Sequence, residues 1–250
     1  MEFDFPRYFA TFAAYAVPLG VLFAATATAP QLWHAPRLSQ TPDRPRFDFG
    51  VAVGAVLAVV GLNVVYNTVG ILPAGAFGGA TFILSLLVIW SPIVLVLLWR
   101  RQGPETCLLV PEAWWKKMLW GVGASILGMA TFLVALGRVD DLPLAVSLLG
   151  TFDPIKAFQS LLQFAGIGFL FYRLAGVLSP KWATTICAVL YGVVKYPYYL
   201  NSLGMGFTEA TAVIVFSIAV AFFVISVIYR RLDVLVVAIL HVFIDLVLQS

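Results

Sequence analysis

The chain has 250 residues, of which 62% are hydrophobic and only 11% are charged, and its mean hydropathy is +0.98. Soluble domains have about 25% charged residues, so this composition excludes the soluble, disordered and fibrous classes and predicts a polytopic membrane protein. The net charge of +3 is small and follows from the expected membrane topology, so nucleic-acid binding is not expected.

Apolar runs long enough to cross a bilayer as helices, about 20 residues each, recur along the chain. We expect an all-α fold, with about eight transmembrane helices in one bundle. The predicted spans are residues 8–29, 50–72, 79–99, 118–137, 157–172, 182–199, 210–229 and 232–249. They form a single membrane domain, in which an N-terminal four-span half (1–150) precedes a C-terminal four-helix core (151–250).

Two segments between the spans differ from both spans and ordinary loops. Residues 103–117 end with two tryptophans followed by two lysines at 114–117, and such a mixture of aromatic and basic side chains favours the headgroup layer. Residues 142–151 are apolar but too short to span, which favours an interfacial or re-entrant position.

The basic residues predict the orientation, because cytoplasmic loops retain Lys and Arg. The segments placed inside hold Arg37, Arg44, Arg46, Arg100, Arg101, Lys116, Lys117, Arg173, Lys181, Arg230 and Arg231. The segments placed outside hold only Arg7, Arg138 and Lys156. We therefore expect both termini on the non-cytoplasmic side of a prokaryotic plasma membrane or another energy-coupling membrane.

Polar side chains within the spans mark the interior of the bundle, because a charge deep in the bilayer is costly and needs a partner. The charged groups are Lys195, Asp233, His241 and Asp245, and the milder polar groups are Gln159, Gln163, Tyr191, Asn63 and Asn67. His241 and Asp245 are four residues apart and share one helix face. We expect them to meet Lys195 and Gln163 in one interior site, in the outer half of the membrane. The site is either a structural Lys195–Asp245 pair or a binding or catalytic pocket, whereas Asn63 and Asn67 favour interhelical hydrogen bonds.

Two stretches of the C-terminal core carry a family resemblance. The first is "LLQFAGIGFLFYRLAGVLSPKWATTICAVLYGVVKYPYYL", and the second is "IYRRLDVLVVAILHVFIDLVL". Together they resemble the CPBP family of CAAX-protease and bacteriocin-processing membrane proteins, in which two motif helices precede a closing His-x-x-x-Asn/Asp segment. The resemblance implies a bundle of about eight spans and an intramembrane endopeptidase ancestry.

The family has three motifs: Glu-Glu-x-x-x-Arg, Phe-x-x-x-His and His-x-x-x-Asn/Asp. In the family these residues are thought to activate a water molecule or to bind a metal that does so. The third motif is kept here as His241 and Asp245. At the second motif, Tyr191 stands for the phenylalanine and Lys195 for the histidine.

The glutamates and the arginine of the family's first motif are replaced in this chain. Leu162 and Gln163 stand where the two glutamates belong, and Ile167 stands for the arginine. Neither replacement of a glutamate can accept a proton as a general base. A lysine at the second motif would repel a metal, and zinc needs about three ligands from His, Cys, Asp and Glu.

These departures favour a catalytically inactive member of the family. We expect it to act, without a cofactor, as a binding or accessory subunit for another membrane protein, a lipid or an isoprenoid-like ligand. Two alternatives stay open. The first is an active CAAX-type endopeptidase that uses His241 and Asp245, with zinc as a cofactor under this alternative only. The second is a transporter or channel component with Lys195 and Asp245 in a proton or anion path.

Overall fold

The computed structural model describes residues 4–28, 44–69, 79–196, 199–200, 204–229 and 232–249, and every regular element within these ranges is helical. The helices are α1 (Phe5–Thr28), α2 (Pro45–Val69), α3 (Gly79–Arg100), α4 (Trp114–Ala135), α5 (Leu142–Ser147), α6 (Pro154–Ala175), α7 (Pro180–Val194), α8 (Phe207–Ile228) and α9 (Val234–Gln249). The short helix α5 and the 3-10 turn after it occupy the apolar segment predicted at 142–151.

The all-α prediction is confirmed for the described residues, and each predicted span coincides largely with one long helix. Five helices contain segments long and apolar enough to cross a membrane: Phe5–Thr28, Pro45–Val65, Ile83–Arg100, Trp114–Ala135 and Phe207–Ile228. The other three long helices differ for identifiable reasons. Helix α7 has only 15 residues, the described apolar part of α9 is the shorter segment Val234–Val247, and α6 carries Lys156, Arg173 and two glutamines. The count of eight spans therefore stays a prediction.

Local sequence signals set the start of α6 and α7. Asp153 caps α6, because its Oδ1 accepts a hydrogen bond from the backbone N–H of Ile155 at 2.8 Å, and Pro154 follows at the first helical position. Pro180 likewise opens α7 after Ser179. Helix α7 ends at Val194, one residue before Lys195, and helical hydrogen bonding resumes beyond it, because the backbone N–H of Tyr199 donates to the Lys195 carbonyl oxygen at 3.2 Å.

Helix α9 lies at the centre of the bundle, packed chiefly against α4 and α6, while α1 packs against α4 and α8. Every residue from Val236 to Leu240 is buried, so α9 has no broad face toward lipid. Gly128 lets α4 approach its neighbours closely, since a Cβ there would lie 2.8 Å from the Ala14 carbonyl oxygen of α1. Helices from both predicted halves of the chain thus share one core.

The segment between α3 and α4, predicted to be interfacial at 103–117, is partly buried against the end of the bundle, and its position relative to the headgroup layer stays a prediction. Leu108 is buried, adopts a left-handed conformation with φ of 59°, and accepts a hydrogen bond from the backbone N–H of Val234. A Cβ on Gly168 of α6 would stand 2.1 Å from the Cys107 carbonyl oxygen. The segment packs against the end of the bundle for two reasons. Gly168 of α6 leaves room for its backbone, and the first N–H of α9, which has no acceptor within its own helix, bonds to Leu108.

Candidate functional site

His241 sits in the middle of α9 and is surrounded by aromatic side chains from three other helices. Its Nδ1 is hydrogen-bonded to the hydroxyl of Tyr15, which is buried on α1. The Phe164 ring of α6 meets the imidazole edge-on, with centroids 5.4 Å apart, and stacks on Tyr191 of α7 at 6.5 Å. Helices α1, α6, α7 and α9 therefore converge at this histidine.

Asp245 lies one turn further along α9, on the same face as His241, as the spacing predicted. Its Oδ2 is 3.5 Å from the His241 Nε2, which is close enough for an electrostatic contact but long for a hydrogen bond. The Asp245 side chain is 46% exposed, whereas that of His241 is only 13% exposed. Because a carboxylate can only accept, this arrangement favours a proton on Nε2 and a Tyr15 hydroxyl that donates to Nδ1.

Lys195 does not form the ion pair with Asp245 that we expected. Its ammonium instead donates a hydrogen bond to the Tyr191 hydroxyl at 2.7 Å and lies 4.3 Å from the centre of that ring. No carboxylate of the described residues lies within 4.0 Å of the ammonium nitrogen. The reason is local: Lys195 immediately follows the last residue of α7, where the helix dipole favours a cation and Tyr191 is one turn away.

The aromatic cluster and aliphatic residues of α8 line a small, partly open apolar cavity of about 20 Å³. Its lining residues are Tyr15, Phe164, Ile167, Tyr191, Val220, Ala221, Val224, Ile225 and His241. A volume of this size holds about one water molecule. Ile167, Tyr191 and His241 come from the positions that the family resemblance matches to the first, second and third motifs, so the fold brings all three positions together.

The other residues predicted for the site are more scattered. Gln163 is half-buried on α6 next to Phe164, but it does not line the cavity, and Gln159 is exposed one turn earlier. Asn63 is exposed on α2. The side chain of Asn67 lies outside those that the structure describes.

The donor set near His241 does not fit a metal. Nowhere in the described part of the chain do three His, Cys, Asp or Glu side chains group closely enough to hold an ion. His241 and Asp245 supply two donors at most, and one imidazole nitrogen is already bonded to Tyr15. Catalytic zinc uses about three protein ligands, so no step can be assigned to a metal here.

A second buried polar cluster lies at the opposite end of α9. The Lys117 ammonium of α4 is 2.9 Å from the Asp233 carboxylate, and both side chains are at most 3% exposed. Asp233 also accepts hydrogen bonds from the backbone N–H groups of Val110 at 2.7 Å and Leu235 at 2.8 Å. Asp233 therefore joins α4, the segment after α3 and the first turn of α9.

Arg173 extends this second cluster from α6. Its guanidinium donates to the side chain of Gln102 and to the carbonyl oxygens of Thr106 and Phe169. It also stacks 3.6 Å from the centre of the Phe169 ring. The same environment buries Cys107, and burial raises the pKa of its thiol to about 11.

The sequence analysis recognised Asp233 as an intramembrane charge but placed Lys117 in the headgroup layer. One signal could have connected them: an aspartate directly before an apolar run is a helix N-cap, and a capping aspartate this deep needs a cation. The position of Lys117 among other basic residues concealed that role. No comparable signal distinguishes Tyr15 from the other tyrosines of the chain.

Comparison with protein-family models, with curated proteins and with solved structures finds no match to this chain.

Proposed function

We propose that the chain is a catalytically inactive, CPBP-like integral membrane protein that serves as a binding or accessory subunit. In this proposal it crosses a prokaryotic plasma or energy-coupling membrane eight times, with both termini on the non-cytoplasmic side. The convergence of Ile167, Tyr191 and His241 on one cavity supports the family frame, because the resemblance assigns these residues to three separate motifs.

The observation that carries the proposal is the chemistry of the cavity wall. Eight of its nine residues are aliphatic or aromatic side chains, and the ninth is His241. Both imidazole nitrogens of His241 face protein groups, Tyr15 on one side and Asp245 on the other. Water activation needs a base with a free lone pair directed at the water, and no described carboxylate lines this cavity.

The size of the cavity bears on what is bound. About 20 Å³ has no room for an isoprenoid chain, so such a ligand would have to separate α1, α7 and α8 around Tyr15 and Tyr191. A membrane protein or lipid held on the outer surface of the bundle needs no such opening. The geometry therefore favours a partner on the outer surface of the bundle over a ligand within the cavity next to His241.

The alternative, an active CAAX-type endopeptidase, depends on His241 and Asp245 alone. Their 3.5 Å contact is the one feature in its favour. It would require further donors or a base from outside the described residues. Bound zinc by elemental analysis, together with chelator-sensitive cleavage, would establish it.

The test uses the full chain in lipid nanodiscs with a prenylated CAAX-type peptide as substrate. We expect no cleavage by the wild type or by His241→Ala. Cleavage by the wild type that is lost in His241→Ala would overturn the proposal.

The binding role is tested separately by extraction in mild detergent, where we expect one discrete complex heavier than the 27.2 kDa chain. Migration as isolated chains only would refute that role.

A further inference from the structure

Four exposed tryptophans lie at one level of the bundle. Trp99 is in the last turn of α3, Trp114 and Trp115 open α4, and Trp182 is the third residue of α7. Their exposed fractions lie between 52% and 63%. Each is within one helical turn, about 5 Å, of a helix end. We call these four residues the tryptophan belt.

Contacts around the second polar cluster place these helix ends together. Arg173, near the end of α6, donates to Gln102, which follows α3, and α7 begins five residues after α6 ends. Lys117, in the first turn of α4, pairs with Asp233 directly before α9. The end of α3 and the starts of α4 and α7 are therefore at the same end of the bundle.

Each part of the belt has an exposed cation within two residues. Arg101 follows Trp99, Lys116 follows Trp115, and Lys181 precedes Trp182. The Lys116 ammonium lies 5.4 Å from the centre of the Trp115 ring. At Trp99 the cation over the ring is Arg100, 6.0 Å from its centre. An exposed basic residue within two positions of an exposed tryptophan thus recurs at the ends of three helices, so it is a property of this end of the bundle.

Charge separates the two ends of the molecule. Among the described residues, the belt end carries Arg44, Arg46, Arg100, Arg101, Lys116, Lys117, Arg173 and Lys181 against Asp48, Glu105, Glu112 and Asp233. The opposite end carries Arg7, Arg138, Lys156 and Lys195 against Asp4, Asp140, Asp141, Asp153, Glu209 and Asp245. The belt end is thus net positive and the opposite end net negative.

We infer that the tryptophan belt, with Arg101, Lys116 and Lys181, is a binding surface for the headgroups of anionic phospholipids in one leaflet. Tryptophan rings prefer the boundary between headgroups and hydrocarbon, which fixes the level of the three cations beside them. Each basic residue near an anionic lipid surface contributes about 1 kcal/mol, or about fivefold in affinity. A zwitterionic headgroup has no net charge and an apolar protein surface has none at all, so three neighbouring cations favour an anionic lipid over either.

The experiment measures tryptophan quenching in the full chain, reconstituted in bilayers that mix phosphatidylglycerol and phosphatidylcholine. Either lipid carries bromine on its acyl chains, so quenching reports which lipid contacts the rings. The test variant is Arg101→Gln/Lys116→Gln/Lys181→Gln. The matched control is Arg7→Gln/Lys156→Gln, which removes exposed cations from the opposite end. The other tryptophans give the same background in every variant.

We expect brominated phosphatidylglycerol to quench preferentially in the wild type and in the control, and the preference to fall at least tenfold in the test variant or at high salt. Bromine placed near the headgroup should quench more than bromine near the chain end. Equal quenching by both lipids, or equal loss of preference in both variants, would overturn the inference. Absence of quenching by either lipid would overturn it in favour of a protein covering the belt. The site around His241 plays no part in this test, so the result is independent of whether that site is catalytic.

Discussion

Removal of the Lys117 ammonium should destabilise the protein in a pH-dependent way. Lys117→Met keeps most of the apolar stem but leaves the Asp233 carboxylate buried without its cation. Burial disfavours the charged form of this carboxylate, whereas the Lys117 ammonium and the backbone N–H of Leu235 stabilise it. Removing the ammonium therefore favours the protonated carboxyl in the folded protein.

The magnitude is bounded by the cost of protonating Asp233. A carboxyl with an unfolded pKa of about 3.9 costs about 1.4 kcal/mol to protonate for each pH unit above that value. The loss of unfolding free energy from this cause is therefore at most about 4 kcal/mol at pH 7 and about 1.5 kcal/mol at pH 5. The lost hydrogen bond from Lys117 to the Val110 carbonyl oxygen adds about 1 kcal/mol at either pH.

The sign follows from the direction of the pKa shift. A carboxyl whose pKa is raised on folding keeps its share of stability at low pH and loses it as the pH rises through the folded-state pKa. We therefore expect Lys117→Met to lower the unfolding midpoint by roughly 10 °C at pH 7 and by about half as much at pH 5. Circular dichroism in detergent micelles measures both.

Lys116→Met is the matched control, because Lys116 is the exposed neighbour of Lys117 on the same helical turn, and its midpoint should stay within about 2 °C of the wild type. The double variant Lys117→Met/Asp233→Asn should recover most of the loss, since asparagine still caps α9 and no charge is buried. A loss of the same size at pH 5 and pH 7, or no recovery in the double variant, would refute this reasoning.

Three further predictions concern packing and burial. Gly168→Ala should lower the free energy of unfolding by about 2 kcal/mol or more, because the new Cβ meets a backbone carbonyl. Gly123→Ala, where the Cβ enters open space, should be neutral or slightly stabilising. Thermal unfolding of both variants measures the difference. Cys107 and Cys187, both buried, should resist maleimide at pH 7 until the protein is denatured, and mass spectrometry that detected rapid labelling of the folded protein would contradict their burial. Tyr15→Phe should cost about 1–2 kcal/mol in detergent unfolding, because a buried imidazole nitrogen loses its donor; an unchanged midpoint would argue against that bond.

Hydropathy predicted the helices because every backbone polar group in a bilayer must be bonded within its own segment, so a long apolar run has few alternatives to a helix. Helix ends were less predictable. The segment 103–117 combines exposed tryptophans with a buried turn at Cys107 and Leu108, and its composition indicates only the exposed part. The docking of Cys107 on Gly168 depends on a glycine in another helix, which no local pattern reveals.

The candidate site was predicted in part. The pairing of His241 with Asp245 follows from helical spacing alone, and so could the contact of Lys195 with Tyr191, also four residues apart. The prediction of a Lys195–Asp245 ion pair was wrong, because the Lys195 ammonium donates its hydrogen bond to Tyr191, one turn earlier in the chain. The bond from Tyr15 joins residues 226 positions apart, and sequence periodicity carries no information on such a contact.

The central position of α9 has a consequence for biogenesis. This helix follows α1, α4 and α6 in the chain, so these three leave the ribosome before the segment that packs between them. Until it arrives, their inward faces must be shielded by lipid, by the insertion machinery or by each other. Damage confined to α9 should accordingly stall assembly of the whole bundle instead of merely loosening its edge.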